Sequence, residues 1–171
     1  MQELLAVVLE NDIDIVVTTE ADRLDIPYFL TQLKNSGMKF VPKQLLPKQN
    51  EGRILLLANT NMSVSVYKEE NYFTAYKIRE KRKNILLVAL HLVSALHYSE
   101  SARSFRAGGA AREIEKLEEN CNTEAKKEGE QAYGTVIVGD FNLHPFSAGI
   151  IGLRGFHAIL DPDKALKGGR T

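Results

Sequence analysis

The chain has 171 residues, of which 44% are hydrophobic and 26% are charged, and these values are typical of one globular domain. Lysine plus arginine and aspartate plus glutamate both number 22, so the formal net charge is zero. This excludes a global positive field that would attract a polyanion. It does not exclude a local phosphate site, because a bound metal ion can supply positive charge there.

The cysteine content and the apolar runs bear on the compartment. A single cysteine, Cys121, cannot form an intrachain disulfide and predicts a reducing environment. No apolar run reaches membrane-spanning length, and the acidic residues around the first apolar stretch are unlike a signal peptide. We therefore expect a cytoplasmic chain without membrane insertion.

The first part of the chain predicts a helix, a strand and a second helix. Gln2 to Glu10 has apolar side chains at helical spacing. Ile13 to Thr19 is nearly continuous in β-branched and apolar residues, which predicts a strand covered on both faces. Glu20 therefore stands at the C-terminal end of a buried strand, with Asp22 close behind. Leu24 to Asn35 again has a helical pattern.

Five short extended runs separated by turn residues follow, and they predict an antiparallel meander. The runs are Met38 to Val41, Arg53 to Ala58, Met62 to Tyr67, Tyr72 to Ile78 and Asn84 to His91.

The last part predicts a long helix and two strands. Ser99 to Lys127 is a polar helix candidate that we expect to be interrupted at Gly108-Gly109. Thr135 to Val138 predicts a buried strand, which runs directly into the motif Gly139-Asp140-Phe141-Asn142 (GDFN). Phe156 to Leu160 is a further short strand candidate. This order predicts a single layered α/β domain over residues 1–171, with helices covering a sheet of mixed strand direction.

The GDFN motif is the strongest chemical signal in the sequence. Asp140 can bind a hard cation, and the amide of Asn142 can hold a water molecule or a phosphate oxygen. The competing interpretation is a strand followed by an Asx turn, which a four-residue string alone does not exclude.

Glu20 and His91 also stand at strand ends, where functional side chains collect in layered α/β proteins. If the strands that end in Glu20 and Asp140 are adjacent, these two carboxylates can reach one metal ion. His91 can act as an acid or a base beside a phosphate. The alternatives are a solvated glutamate and a strand-end histidine bonded to the backbone.

Other polar residues give weaker signals. His144 lies close enough behind the GDFN motif to line a cleft, whereas His97 and His157 are better explained as structural residues. The basic run at residues 81–83 could contact a polyanion, but such a run at a hairpin tip is usually only solvated.

The order of these signals resembles the endonuclease/exonuclease/phosphatase superfamily. The strand that ends in Glu20, the meander, the strand that ends in His91, the long helix and the GDFN motif occur in that family's order, from Leu4 to about Leu160. The resemblance implies a DNase I-like fold, in which two packed mixed β-sheets are flanked by helices. It also implies Mg²⁺- or Mn²⁺-dependent hydrolysis of a phosphate ester by an activated water, with nucleic acid among the candidate substrates.

The resemblance also implies roles for individual residues. Glu20 would bind the metal, Asp140 would bind it or activate the attacking water, and Asn142 would contact phosphate. His91 would pair with a glutamate, for which Glu51 is the best-placed candidate.

The sequence departs from the family pattern at both ends. Family members open with a strand that ends in Trp-Asn and close with Ser-Asp-His, and this sequence contains neither. We therefore expect this chain to hydrolyse phosphate esters poorly or not at all, and we expect exposed sheet edges to promote self-association. The competing hypothesis is an impaired remnant of the fold that acts as a protein-interaction module.

Overall fold

The computed structural model describes residues 2–21, 24–43, 54–79 and 83–157. Contacts divide the chain into two compact units. The first comprises Met1–His91 and Glu118–Asp140, and the second comprises Leu92–Leu117 and Phe141–Thr171. The assignment of residues 1–171 to one domain stays a prediction.

One three-stranded sheet, sheet A, lies in the first unit. Its strands are β1 (Ile15–Thr19), β2 (Phe40–Pro42) and β3 (Ile54–Asn59), and they pair antiparallel in the order β1-β3-β2. The helices α1 (Gln2–Glu10) and α2 (Ile26–Asn35) cover one face of this sheet. The predicted helix, strand and helix at the start of the chain are therefore confirmed.

Sequence signals explain where α2 begins and how it packs. The side chain of Asp25 accepts a hydrogen bond of 3.0 Å from the backbone N–H of Tyr28, which caps the helix at its start. Apolar residues at helical spacing then face sheet A. The buried residues of this helix-and-sheet core are Val8, Val16, Phe29, Leu33, Phe40 and Leu57.

Sheet B, also in the first unit, has four strands. They are β4 (Ser63–Glu69), β5 (Phe73–Arg79), β6 (Asn84–His91) and β7 (Tyr133–Asp140), in the order β4-β5-β6-β7. The β6–β7 pair is parallel and the other two pairs are antiparallel. Mixed strand direction is therefore confirmed for sheet B, whereas the described strands of sheet A are all antiparallel. A parallel pair needs a long crossover, and α3 (Glu100–Glu128) supplies it.

The prediction of one continuous meander was wrong between β3 and β4. These consecutive strands belong to different sheets, and a turn at residues 60–61 separates them. Both edges of β3 are already hydrogen-bonded, one to β1 and the other to β2. The edge that β4 would need is therefore occupied, and the chain starts a second sheet.

The two sheets of the first unit pack face to face. Ile54, Leu56 and Ala58 of β3 meet side chains from β5 and β6, and β1 lies against β7. With α1 and α2 outside sheet A and the end of α3 outside sheet B, the layers run helix, sheet, sheet, helix. This confirms the predicted layered α/β fold.

The expected full burial of Thr135 to Val138 was wrong. The side chain of Val136 is 45% exposed, and in β7 only Tyr133 is buried. Among the described strands β7 is the last of sheet B, so it has a neighbour on one edge only. Apolar composition predicted a strand here but could not predict its place at a sheet edge.

The expected interruption of the long helix was also wrong, because α3 continues through Gly108 and Gly109. Alanines at 107, 110 and 111 flank the pair and favour the helix. A Cβ atom on Gly108 would overlap the backbone carbonyl oxygen of Arg154. The glycine therefore allows close approach of another segment and does not break the helix.

The second unit also contains the short helix α4 (Ala148–Ile151) and the turns around it. The strand predicted from Phe156 does not begin there, because Phe156 lies in a turn and its N–H donates to Gly149 at 3.1 Å. Residues 158–160 of that predicted strand lie outside the described residues. No helix in the described ranges has the length and apolar character needed to cross a membrane.

A polar network fastens the C-terminal part of α3 to the outer face of sheet B. The ammonium group of Lys77 donates to Glu124 at 2.9 Å, and the hydroxyl of Tyr67 donates to the other carboxylate oxygen at 3.1 Å. The same ammonium lies 4.0 Å from the centre of the Tyr67 ring. Cys121 is buried beside this network, and burial raises the pKa of its thiol.

The network predicts that stability falls at alkaline pH. Burial and the hydrogen bond to Glu124 raise the pKa of Tyr67 from 10.0 to about 12. Burial by itself would lower the pKa of Lys77, but the Glu124 hydrogen bond and nearby charges raise it overall. For both groups the folded state holds the proton more tightly. The Tyr67 contribution is therefore complete below pH 10.0 and is lost as the pH rises towards about 12.

We expect Tyr67→Phe to reduce this alkaline loss. Between pH 8 and pH 11 the melting temperature of the variant should fall several degrees less than that of the parent chain. Each kcal/mol of unfolding free energy that is lost lowers the melting temperature by about 4 °C. Thermal melts followed by circular dichroism measure this. Tyr28→Phe, at an exposed position on α2, is the control. Parallel pH profiles for the parent and Tyr67→Phe would contradict the prediction.

Candidate active site

The structure brings His91 and Asp140 together. They are the last residues of β6 and β7, and the parallel register pairs them directly. Neighbouring strands are about 4.8 Å apart, so these two backbones are immediate neighbours. Strand alternation places His91 on the face of sheet B that carries Leu87 and Ala89, which pack against sheet A. An imidazole and a carboxylate therefore share one end of sheet B.

The backbone conformation at position 139 explains why a glycine precedes Asp140. The φ angle of Gly139 is 136°, which side chains disfavour. A Cβ atom at this position would overlap the carbonyl oxygen of Leu90 and lie 2.9 Å from the Leu90 carbonyl carbon. The glycine therefore permits the close strand pairing that sets Asp140 beside His91.

His91 is anchored through its backbone. Its N–H donates to the carbonyl of Tyr72 at 2.8 Å. The Nδ1 atom is buried and has no hydrogen-bond partner among the described residues. Buried polar atoms usually have a partner. Glu51, the predicted partner, lies outside the described ranges, so the His91–Glu51 pair stays a prediction.

Glu20 directly follows β1, the strand that lies against β7. It is exposed, and its φ angle of 53° is unusual for a residue with a side chain. Only four non-glycine residues in the described ranges have a positive φ, and the predicted site residues Glu20 and Asn142 are two of them. Uncommon backbone conformations concentrate at functional sites. Asp22 lies outside the described residues.

Asn142 lies in the second unit, where two hydrogen bonds hold it. Its φ angle is 49°, and its side-chain amide donates to the carbonyl of Leu92 at 2.9 Å. Its own backbone carbonyl accepts a hydrogen bond from Nη1 of Arg103, on α3. Sequence reasoning did not identify Arg103, because one arginine in a long charged helix gives no signal of its own.

The weaker candidates lie in local surroundings. His144 is exposed, and its Nδ1 accepts a hydrogen bond of 3.2 Å from the backbone N–H of Phe146. His97 and His157 are both exposed. Lys83 is exposed, and the other two residues of the basic run at 81–83 lie outside the described ranges. The roles predicted for these residues stay predictions.

The donor chemistry fits a hard cation with few protein ligands. In the part of the chain that the structure describes, no group of three or more His, Cys, Asp or Glu side chains is placed to hold a metal ion. A closed zinc site needs such a group. Mg²⁺ is instead bound through one or two carboxylates, several waters and substrate phosphates. Glu20 and Asp140 are the carboxylates that the sequence predicts as ligands, and their shared metal site stays a prediction.

Comparisons with known proteins identify the fold. No protein-family model and no curated protein sequence matches the chain. Among solved structures, truncated TDP2 from Caenorhabditis elegans has a TM-score of 0.52 at 15% identity, over 84% of this chain and 55% of that one. TDP2 from D. rerio, in complex with a single-stranded DNA product, has a TM-score of 0.51 at 14% identity, over 91% and 57%.

A third similar structure is an endonuclease/exonuclease/phosphatase family protein from Bacteroides thetaiotaomicron. Its TM-score is 0.50 at 15% identity, over 88% of this chain and 56% of that one. The chain thus spans a little over half the length of these proteins. At such low identity the similarity concerns the fold alone. The chain has the DNase I-like fold that these three structures share.

Proposed function

We propose that this chain provides the core of a metal-dependent phosphate-ester hydrolase that uses an activated water. The observation that carries the proposal is the register pairing of His91 with Asp140 at the end of two parallel strands. Gly139 supports it, because its backbone allows that pairing. The shared fold supports the same reaction type, since structures with this fold include one named for its superfamily of nucleases and phosphatases.

Each residue has a proposed role. The carboxylate of Asp140 accepts a hydrogen bond from the attacking water and takes its proton as the water attacks phosphorus, and the imidazole of His91 donates a hydrogen bond to a phosphate oxygen. The amide of Asn142, two residues after Asp140 in the chain, contacts phosphate. Glu51 is the proposed partner of His91.

We propose that the carboxylates of Glu20 and Asp140 lie close enough to hold one Mg²⁺ or Mn²⁺ ion. When bound, such an ion lowers the pKa of its water and offsets negative charge on phosphate. Glu20 keeps the ion at the strand ends, and its left-handed backbone conformation turns the chain there. This arrangement supplies the positive charge that the neutral overall composition lacks.

Nucleic acid is the first substrate to test, because one protein of the same fold was crystallised with a single-stranded DNA product. The assay uses single-stranded DNA, a generic phosphodiester and a phosphomonoester, each with Mn²⁺ or with EDTA. Because the sequence departs from the family pattern at both ends, we expect only slow hydrolysis of at least one diester with Mn²⁺, and none with EDTA. Absence of metal-dependent hydrolysis of every substrate would contradict the proposal.

Glu20→Gln is expected to weaken Mn²⁺ binding at least about tenfold, because it removes one of only two proposed carboxylate ligands. Glutamine keeps the size of the side chain and its backbone preferences, so the change isolates the charge. Isothermal calorimetry measures the affinity, and Glu10→Gln, at the exposed end of α1, is the control. Equal affinities in the parent chain and Glu20→Gln would mean that Glu20 is not a ligand.

A protein-interaction module of the same fold is the second candidate function. The exposure of Val136 and the position of β7 at the end of the described strand order favour it. An edge strand with an apolar side chain can pair with another chain. Sedimentation velocity together with the hydrolysis assay distinguishes the two functions, because a module would associate without any metal-dependent turnover.

For the compartment we propose the cytoplasm or another reducing environment. Cys121 is free and buried. Burial raises the pKa of its thiol, so it stays protonated and poorly reactive at neutral pH.

A further inference from the structure

The loop that follows β7 lies on one face of α3. A Cβ atom on Gly149 would come within 3.0 Å of the Ser104 Cα and of the Ala107 Cβ. A Cβ atom on Gly108 would overlap the carbonyl of Arg154. Positions 104, 107 and 108 share a helical face, so small residues there let this segment contact the helix directly.

Arg103 adds the polar contact beside this packed face. Its Nη1 atom donates to the backbone carbonyl of Asn142, and the Asn142 side-chain amide in turn donates to the Leu92 carbonyl at 2.9 Å. Arg103 itself is half-buried. A planar guanidinium has donors in a fixed arrangement, so it sets the direction of the carbonyl more strictly than a flexible ammonium does.

Asn142 needs such a contact because of its backbone. Its φ angle of 49° lies in the left-handed region, which asparagine tolerates better than most residues but does not prefer. Without a donor for its carbonyl, the peptide can rotate towards a more populated conformation. The side chain would then turn with the backbone and leave the Leu92 carbonyl.

We propose that Arg103 is a positioning residue, which holds the backbone of Asn142 and thereby aims the Asn142 amide. This inference rests on the proposed function, in which that amide contacts phosphate. It assigns α3 a role in the site that the GDFN motif alone does not indicate. Arg103 acts through Asn142 and contacts no reacting atom itself.

The first test is nuclear magnetic resonance of the side-chain amide of Asn142, assigned with Asn142→Asp. In Arg103→Met we expect its signals to move towards those of a free amide and to exchange with water at least about tenfold faster, while β7 backbone signals stay in place. Arg103→Lys keeps a donor, so its Asn142 amide signals should lie close to those of the parent chain. Arg112→Met removes an exposed arginine from the same helix and is the matched control.

Unchanged Asn142 amide signals in Arg103→Met would overturn the inference. If Arg103→Met does not fold, Arg103→Gln, which is shorter but still has an N–H donor, is measured in the same way. The Asn142 signals are then expected midway between those of the parent chain and of a free amide. Signals that do not move from the parent position would count against the proposal.

The second test is a double-mutant cycle on metal-dependent hydrolysis. If Arg103 acts through Asn142, then Arg103→Met combined with Asn142→Ala should have the kcat of Asn142→Ala alone, whereas independent effects would multiply. A multiplied loss would overturn the inference.

The two tests separate the inference from the proposed function. Altered amide signals without hydrolysis in any chain would support the role of Arg103 in holding Asn142 and reject the hydrolase. Hydrolysis by the parent chain together with unaltered amide signals in Arg103→Met would support the hydrolase and reject the role of Arg103.

Discussion

Gly139→Ala is expected to lower the free energy of unfolding by about 3 kcal/mol, from backbone strain and overpacking together. A Cβ atom at this position overlaps the Leu90 carbonyl, and the φ angle of 136° is one that alanine disfavours. The overlap is with backbone, so a change of side-chain rotamer cannot relieve it. The end of β7 must therefore move away from β6, and Asp140 must move away from His91.

Gly134→Ala is the matched control for this experiment, because it makes the same substitution in the same strand. A Cβ atom there meets nothing within 4 Å, and Gly134 is not among the glycines with positive φ. We expect a change within about 0.5 kcal/mol, because alanine also restricts the unfolded chain. Urea unfolding measures both variants. Equal stabilities would show that β7 does not approach β6 as closely as described.

Asp140→Asn is expected to reduce metal-dependent hydrolysis by at least about a hundredfold, which is typical for loss of a general base. Asparagine has the same shape but cannot accept a proton, and it removes one of the two proposed metal ligands. Asp140 is exposed at the strand end, so the melting temperature should change little. The rate is measured under single-turnover conditions to separate chemistry from product release.

The control for Asp140→Asn is Asp12→Asn. Asp12 is exposed and has a φ angle of 48°, which asparagine tolerates well. The variant Asp12→Asn should retain the parent rate of hydrolysis. A parent rate that survives Asp140→Asn would show that the activity does not depend on the GDFN motif. Loss of rate together with a large fall in melting temperature would instead indicate unfolding.

Local patterns in the sequence were sufficient for most elements. The spacing of apolar residues predicted α1 and α2, a β-branched run predicted β1, and an extended apolar run predicted β6, all close to their observed bounds. The ends of two of these strands also identified Glu20 and His91 as candidates, because a polar residue after an apolar run is visible without any tertiary information. The GDFN motif was recognisable for the same reason.

Other features depend on contacts between distant segments. The split of the strands into two sheets follows from β1 and β2 occupying both edges of β3. The need for a glycine at position 108 follows from the approach of Arg154, and the exposure of Val136 follows from the place of β7 at the end of the described sheet. No local pattern shows which edge is occupied or which backbone comes close.

The candidate site divides in the same way. The sequence by itself determined which side chains stand at strand ends, since hydrophobic periodicity and turn chemistry are local properties. Only the tertiary structure decided that His91 faces Asp140 and that Arg103 holds Asn142. Strand register and long-range hydrogen bonds join residues that are far apart in the chain. They are selected by the packing of the whole core, and local patterns in one sequence do not show that packing.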